Sequence, residues 1–183
     1  MKKAALICVA LLFAFALTAK AADKKAVLDG YFDAKLGFLT GSFDGGAGYD
    51  LDADGMMIGV DYNVPAEKGV HRISVLYAPI DGSDIINGVN VEYDVDIWQI
   101  SYNRLWDFEA GKELGGNFYG GIGIGYDHAS ADAMAAGVSV SESDSSIDFN
   151  VIGGYKLPSN VIIEANWIVD ESAYGLSIGY QFK

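Results

Sequence analysis

Residues 173–183 read Ala173-Tyr174-Gly175-Leu176-Ser177-Ile178-Gly179-Tyr180-Gln181-Phe182-Lys183, and this stretch decides the fold. Tyr174, Leu176, Ile178, Tyr180 and Phe182 alternate with Gly175, Ser177, Gly179 and Gln181. Successive side chains of a strand point to opposite faces, so the stretch is a strand with one apolar, aromatic face and one small, polar face.

The same pattern recurs upstream and predicts eight strands, at 30–43, 55–64, 69–79, 88–106, 117–128, 146–157, 160–169 and 173–183. The apolar face carries Phe32, Leu36 and Phe38, then Met56, Ile58 and Val60, then Ile122, Ile124 and Tyr126. In the fourth strand the apolar parity changes, from Val91, Tyr93, Val95 and Ile97 to Trp98, Ile100 and Tyr102, which predicts a bulge near Ile97-Trp98.

Alternation alone fits a soluble barrel equally well with its faces reversed. The polar face argues against that. It is built from Gly121, Gly123, Gly125, Ser74, Ser101, Asn150, Asn166 and Ser177, where water would favour Lys and Glu. A narrow lumen packed with side chains wants such small, hydrogen-bonding residues. Aromatic residues also sit eight apart on the apolar face: Trp98 and Trp106, Phe118 and Tyr126, Tyr174 and Phe182. Eight residues at ~3.3 Å, tilted by ~40°, rise about 20 Å, close to the apolar band between the aromatic girdles of a membrane barrel. The expected fold is therefore all-β, an eight-stranded antiparallel up-and-down transmembrane β-barrel, whose closure satisfies every backbone hydrogen bond in lipid.

Residues 1–21 have the make-up of a secretory signal peptide: Lys2 and Lys3, an apolar run from Ala4 to Leu17, and Ala19-Lys20-Ala21 as a small-x-small cleavage site. The barrel domain then spans 22–183. The single cysteine, Cys8, lies inside the apolar run, so no disulfide or thiol chemistry is expected of the mature chain. That chain holds 9 basic and 25 acidic residues, a net charge of −16, which excludes a nucleic-acid partner. There is no Walker-type loop, no Cys/His cluster and no solenoid repeat, and no cofactor is expected.

The architecture, together with Gly179-Tyr180-Gln181-Phe182, resembles the small eight-stranded bacterial outer-membrane β-barrel proteins, the group of OmpX and the membrane domain of OmpA. The resemblance covers the whole mature length. It implies a Gram-negative-type outer membrane, contact with its lipid and lipopolysaccharide, and both chain ends in the periplasm. Tyr180 and Phe182 would then be the signal read by the barrel assembly machinery, although Lys183 follows the Phe that usually comes last. Periplasmic turns are expected at 65–68, 107–116 and 158–160, and outer loops at 44–54, 80–87, 129–145 and 170–172.

Three sets of residues could carry chemistry. Asp33, Lys35, Asp61, Arg72 and Glu164 share the inward parity. With Val64 opposite Gly69 across a four-residue turn, Asp61 lies directly opposite Arg72. Such charges make either an ion gate in a narrow cation-selective pore or a packed polar plug with its charges paired, and eight strands leave room mainly for the plug. His128-Ala129-Ser130 with Glu142 is similar to the His-x-Ser plus Glu set of the lipid A deacylases, in which His activates the Ser nucleophile. Ala131 stands where that family has Asn, and the set lies some 40 residues from the C-terminus rather than near it. Asp50-x-Asp52-x-Asp54-Gly55 matches the first half of a calcium loop. The strand 56–61 carries Asp61 about 16 Å away at ~3.3 Å per residue, leaving a three-carboxylate loop for Ca2+ or Mg2+ at the extracellular rim.

The function expected is non-enzymatic: a structural or surface-interaction role through acidic outer loops, toward an extracellular ligand the residues do not name. A lipid A-modifying enzyme and a cation-selective pore are the alternatives. For assembly, Phe182→Ala should impair insertion into outer membranes more than deletion of Lys183 does, measured as the fraction of chain with heat-modifiable gel mobility. Equal insertion would remove the terminal-signal argument.

Overall fold

The computed structural model describes residues 30–44, 50–86, 88–108, 116–135, 137–169 and 172–182. The signal-peptide stretch 1–21 lies outside the described residues. Eight strands follow one another: β1 (Tyr31–Asp44), β2 (Asp50–Ala66), β3 (Gly69–Ile86), β4 (Val89–Phe108), β5 (Asn117–Ala135), β6 (Val138–Lys156), β7 (Val161–Ile168) and β8 (Ala173–Phe182). Each is antiparallel to its neighbours in sequence, and β1 also pairs with β8, from Phe32↔Phe182 to Thr40↔Tyr174, closing the barrel.

The parities fall as the alternation requires. Phe32, Leu36, Ile58, Ile122, Ile124, Val151, Ile163, Leu176 and Ile178 stand exposed on the outside, while Ser74, Ser101, Asn150 and Ser177 are buried within. An apolar outer surface this continuous is stable against hydrocarbon and not against water. Two rows of ring contacts border it. At one end Tyr77 packs on Trp98 and Trp167 on Tyr174, with centroids 4.4 and 5.9 Å apart. At the other end Phe32 packs on Tyr62 and Phe118 on Tyr155, at 4.9 and 4.6 Å. Wide inner side chains are accommodated by glycine on the next strand: a Cβ at Gly123 would overlap Asn103 Oδ1, and one at Gly154 the ring of Tyr119.

The strands run further than the sequence predicts. Residues 80–87 and 129–145, expected as loops, are mostly strand: β3 continues to Ile86, β4 starts at Val89, and β5 and β6 meet at Ala135↔Val138. Above the girdle a strand needs no apolar face, so polar residues on both sides erase the alternation that would reveal it. Gly88 and Gly137, at φ of 81° and 82°, take the left-handed conformation that tight hairpin turns demand. The result is a four-stranded sheet standing above the barrel. Its β3 edge begins where Pro79, without an N–H, cannot continue the ladder with β2, which stops at Ile58↔Tyr77. Its β6 edge begins above Asn150↔Ile168.

The expected bulge at Ile97-Trp98 does not exist. β4 pairs residue for residue through Tyr77↔Trp98 and Trp98↔His128, and odd-numbered residues face inward along its whole length. What changes at Trp98 is the solvent. Below it the outside is lipid and the inside polar (Gln99, Ser101, Asn103). Above it the outside carries Asp96, Asp94 and Glu92, and Ile97 and Val95 are buried within.

This boundary makes a testable contrast. Ile124→Arg, in the apolar band, should destabilise the barrel by about 2–4 kcal/mol, as for cationic residues near the bilayer midplane. Asp94→Arg, above the girdle, should leave stability unchanged or raised, because it separates carboxylates. Equal losses in urea titrations of vesicle-embedded protein would refute the placement of the boundary.

Candidate functional site

The lumen is filled in layers. Nearest the β2–β3 turn, Leu105, Tyr119, Ile152 and Ile162 form a buried apolar cluster with Val70 packed on it. At the opposite end Leu39, Met57, Leu76, Ala78, Ile80, Val95, Ile97, Ile168 and Ala173 form a second. Polar and charged side chains occupy the space between.

All five charged residues of the inward parity meet there. Lys35 Nζ lies 2.8 Å from Asp61 Oδ2 and 2.6 Å from Glu164 Oε1. Arg72 bonds Glu164 Oε2 through Nη1, which is also 3.3 Å from Asp61 Oδ2, and its Nη2 is 3.5 Å from Asp33 Oδ2. The pairing of Asp61 with Arg72 is diagonal rather than direct. Ala66 pairs with Gly69 across a two-residue turn, which sets Asn63 opposite Arg72 and Ser74 opposite Asp61. Gly69, at φ 107°, permits that tighter turn.

Two partners escaped the sequence reading. Asn63 accepts from Arg72 Nε at 2.9 Å and donates to Asp33 Oδ2 at 2.7 Å. Tyr119 donates to Glu164 Oε2 at 2.7 Å, and the Arg72 guanidinium lies over its ring at 5.6 Å. Inward parity was the available signal for both. A guanidinium held among three carboxylates and an amide, against a ring, is a fixed structure rather than a swinging gate. The cavity bordered by Lys35, Asp61, Ser101, Asn103 and Glu164 has a volume of about 20 Å³. That is room for a single water. The arrangement favours the plug over the pore.

The deacylase-like set is not assembled. His128 and Ser130 lie on the outer face of β5, whereas Glu142 pairs with Ala131 and so belongs to the inner face. His128 Nδ1 is hydrogen-bonded to Ser145 Oγ at 2.9 Å, not to Ser130. With Glu142 on the other face and His128 turned to Ser145, the His–Ser–Glu relay to Ser130 is not formed.

Nor is the calcium-type loop present. The backbone at Asp50, Asp52 and Asp54 is extended, paired in β2 with Asp44, Ser42 and Thr40. Four residues of strand span roughly 13 Å, too far for three carboxylates to converge on one ion. The side chains of Asp50 and Asp52 lie outside the described residues; Asp54 is exposed. Tyr180 and Phe182 are exposed on the outer face of β8, ring centroids 5.1 Å apart, in register with Ala34 and Phe32 of β1.

On the projecting sheet, Asp81 pairs directly with Asp94, and Asp94 with Asp132, so three carboxylates stand in a row across β3, β4 and β5. Ser141 Oγ caps the row by donating to Asp132 Oδ1. The groove beside it, with Glu92 and Met134 on its wall, has a volume of about 570 Å³. Ile85, Met134, Val138 and Val140 are exposed at the hairpin tips.

No protein-family model matches the chain, and no curated protein matches it in sequence. Its fold is similar to solved small outer-membrane barrels. The crystal structure of Ail, the attachment invasion locus protein of Yersinia pestis, has a TM-score of 0.55 at 16% identity, over 84% of this chain and 99% of that one. A second structure of Ail, in complex with the heparin analogue sucrose octasulfate, has a TM-score of 0.54 at 18% identity, with 84% and 99% covered. Neisserial surface protein A has a TM-score of 0.57 at 20% identity, over 84% of this chain and 96% of that one. At such identities the likeness establishes the fold.

Arg72→Ala would leave Glu164, Asp61 and Asp33 against Lys35 alone. It should destabilise the barrel by about 3–5 kcal/mol, the usual loss when one partner of a buried ion pair is removed. Urea unfolding in detergent micelles measures this, and an unchanged midpoint would mean that the network is solvated.

Proposed function

We propose that the chain is exported, inserts into the outer membrane of a Gram-negative-type bacterium with Tyr180 and Phe182 as its assembly signal, and serves there as a non-enzymatic surface-interaction protein whose projecting sheet engages cationic partners. The observation that carries the reading is the direct pairing Asp81↔Asp94↔Asp132 on the outer face of that sheet. Spanning the bilayer requires none of β3–β6 above Trp98, so this sheet is extra to the barrel. Like charges directly opposite one another destabilise a free sheet, and a cationic ligand relieves that repulsion. Asp96 and Glu92 extend the field, while of the described basic residues Lys35 and Arg72 lie inside the barrel and Lys68, Arg104 and Lys156 flank the other end. The exposed apolar tips add contact area beside the charge.

Charge sign separates this reading from what is known of Ail. Sucrose octasulfate, held by Ail, is a polyanion, and the carboxylate row here would repel it. Lipopolysaccharide phosphates are likewise met at this rim through bridging divalent cations rather than through Arg or Lys.

Binding of polylysine and of heparin to the full barrel in lipid nanodiscs tests the reading. Polylysine should bind, with affinity falling as salt rises, and heparin should not. Changing Asp81, Asp94 and Asp132 together to Asn should weaken polylysine binding by about tenfold or more, the scale of a few exposed charges at ~1 kcal/mol or less each. Equal binding by the variant, or preference for heparin, would reject the proposal.

A further inference from the structure

Basic side chains gather on the outside of the barrel at the end away from the acidic sheet. Lys68 lies in the turn between β2 and β3, and His71 on the outer face of β3 stands directly opposite Arg104 of β4. Directly opposed residues have Cβ atoms about 5 Å apart, so the two side chains share one patch. Among the described residues the remaining Lys and Arg, namely Lys35, Arg72 and Lys156, face the lumen.

The turn is locked onto this patch. Gly69, at φ 107°, lies so close to β4 that a Cβ there would overlap Leu105 O. That approach lets Arg104 Nη2 donate to Lys68 O at 3.1 Å, which holds Lys68 beside Arg104. The Arg104 guanidinium lies over the Trp106 ring at 5.7 Å. His71 Nδ1 is hydrogen-bonded to Tyr102 Oη at 2.6 Å, with the two rings stacked at 5.9 Å. With Nδ1 engaged, Nε2 is the ring nitrogen available to a further partner.

The charge of this patch is not balanced within the described chain. The ion pairs among the described residues join Lys35 and Arg72 to Asp33, Asp61 and Glu164, and none reaches Lys68 or Arg104. Even Glu67, in the same turn, is paired with neither. Arg104 Nη1, closed off from solvent, has no hydrogen-bond partner. A permanently charged guanidinium with unused donors at the border of hydrocarbon calls for an acceptor, and its long stem lets the head swing to one. Toward the projecting sheet the adjoining wall is apolar. Ile122 and Ile124, opposite Arg104 and Tyr102 on β5, are exposed. Cations at the foot of an apolar wall match an amphiphile with an anionic head.

We propose that Lys68, His71 and Arg104 hold the phosphate of an anionic phospholipid, whose acyl chains lie along Tyr102, Ile122 and Ile124. Lys68 and Arg104 supply charge-assisted N–H bonds to the phosphate oxygens, and His71 Nε2 adds a donor from the neighbouring strand. The Trp106 ring belongs to the girdle at that depth. Tyr31 and Phe182, the ends of β1 and β8, lie at this end of the barrel. In an outer-membrane protein inserted as proposed above, this end meets the periplasmic leaflet, which is built of phospholipid. The site rests on that insertion and not on the cationic partners of the sheet, so a failure of polylysine to bind leaves it standing.

Native mass spectrometry of the refolded full barrel in detergent tests the site, with phosphatidylglycerol or phosphatidylcholine of identical chains added. One phosphatidylglycerol should stay bound per chain, preferred over phosphatidylcholine by about tenfold or more. Lys68→Gln and Arg104→Gln should each lower that preference about fivefold, the scale of one basic residue near an anionic leaflet. Lys156→Gln removes the same charge from the lumen and should change nothing. No preference in the wild type, preference kept in the Lys68→Gln/Arg104→Gln double variant, or equal loss in Lys156→Gln would each overturn the site. Glycerol phosphate, which lacks acyl chains, should not displace the lipid; displacement would mean a site for free phosphate and reject the lipid. Should a variant fail to refold, NMR spectra of the wild type decide. Phosphatidylglycerol should shift the imidazole signal of His71 and leave that of His128, the other of the two histidines, in place. An unmoved His71 signal would equally overturn the site.

Discussion

The seam between β1 and β8 is the pairing on which the rest of the structure depends. A strand in hydrocarbon has no water to receive its N–H and C=O groups, so an open sheet edge in the bilayer forfeits several kcal/mol for each one left bare. Pairing Phe32 to Thr40 with Phe182 to Tyr174 removes both edges at once. Closure on eight strands then fixes the width of the interior. Side chains of ordinary size fill it, and the parity of every residue decides whether it meets lipid or the packed centre.

That centre is not uniform. Apolar clusters at its two ends hold water away from a band of amides, hydroxyls and ions, and the ions sit nearer the Leu105–Tyr119 end. Three carboxylates surround Lys35 and Arg72, with Asn63 and Tyr119 completing the bonds that neither cation alone could supply. Above Trp98 the same strands pass from one solvent to another. Their faces exchange chemistry without exchanging direction, as Asp94 and Asp96 outside and Val95 and Ile97 inside show.

This exchange explains which parts were legible in the sequence. The barrel, its strand number and the inward set Asp33, Lys35, Asp61, Arg72 and Glu164 follow from alternation against a single apolar solvent. The same rule misreads Ile97-Trp98 as a bulge, because a reversal of polarity looks identical to a slip of phase. It also misses the strand character of Val138–Ser145, where serines line one face and Glu142 and Asp144 replace the valines on the other, so the apolar alternation stops after Val140. Register at the β2–β3 turn depended on Pro65 and Ala66 belonging to the strand, which hydropathy does not report. Glu142 looked usable beside His128 and Ser130 only while the segment passed for a loop; strand parity separates them.

The unequal ladders have a mechanical consequence. β4–β5 and β5–β6 run from the barrel floor to the hairpin tips, Asn117↔Lys156 to Ala135↔Val138 in the latter. β6–β7 spans only Asn150↔Ile168 to Lys156↔Ile162. A pull on the tips runs parallel to the strands, so the long ladders meet it in shear, with many hydrogen bonds loaded together. The short β6–β7 ladder, beside the bare upper edge of β6, meets any sideways component by peeling, one bond after another. Tension on a bound partner would therefore be borne by the sheet and released, if at all, at that one seam of the wall.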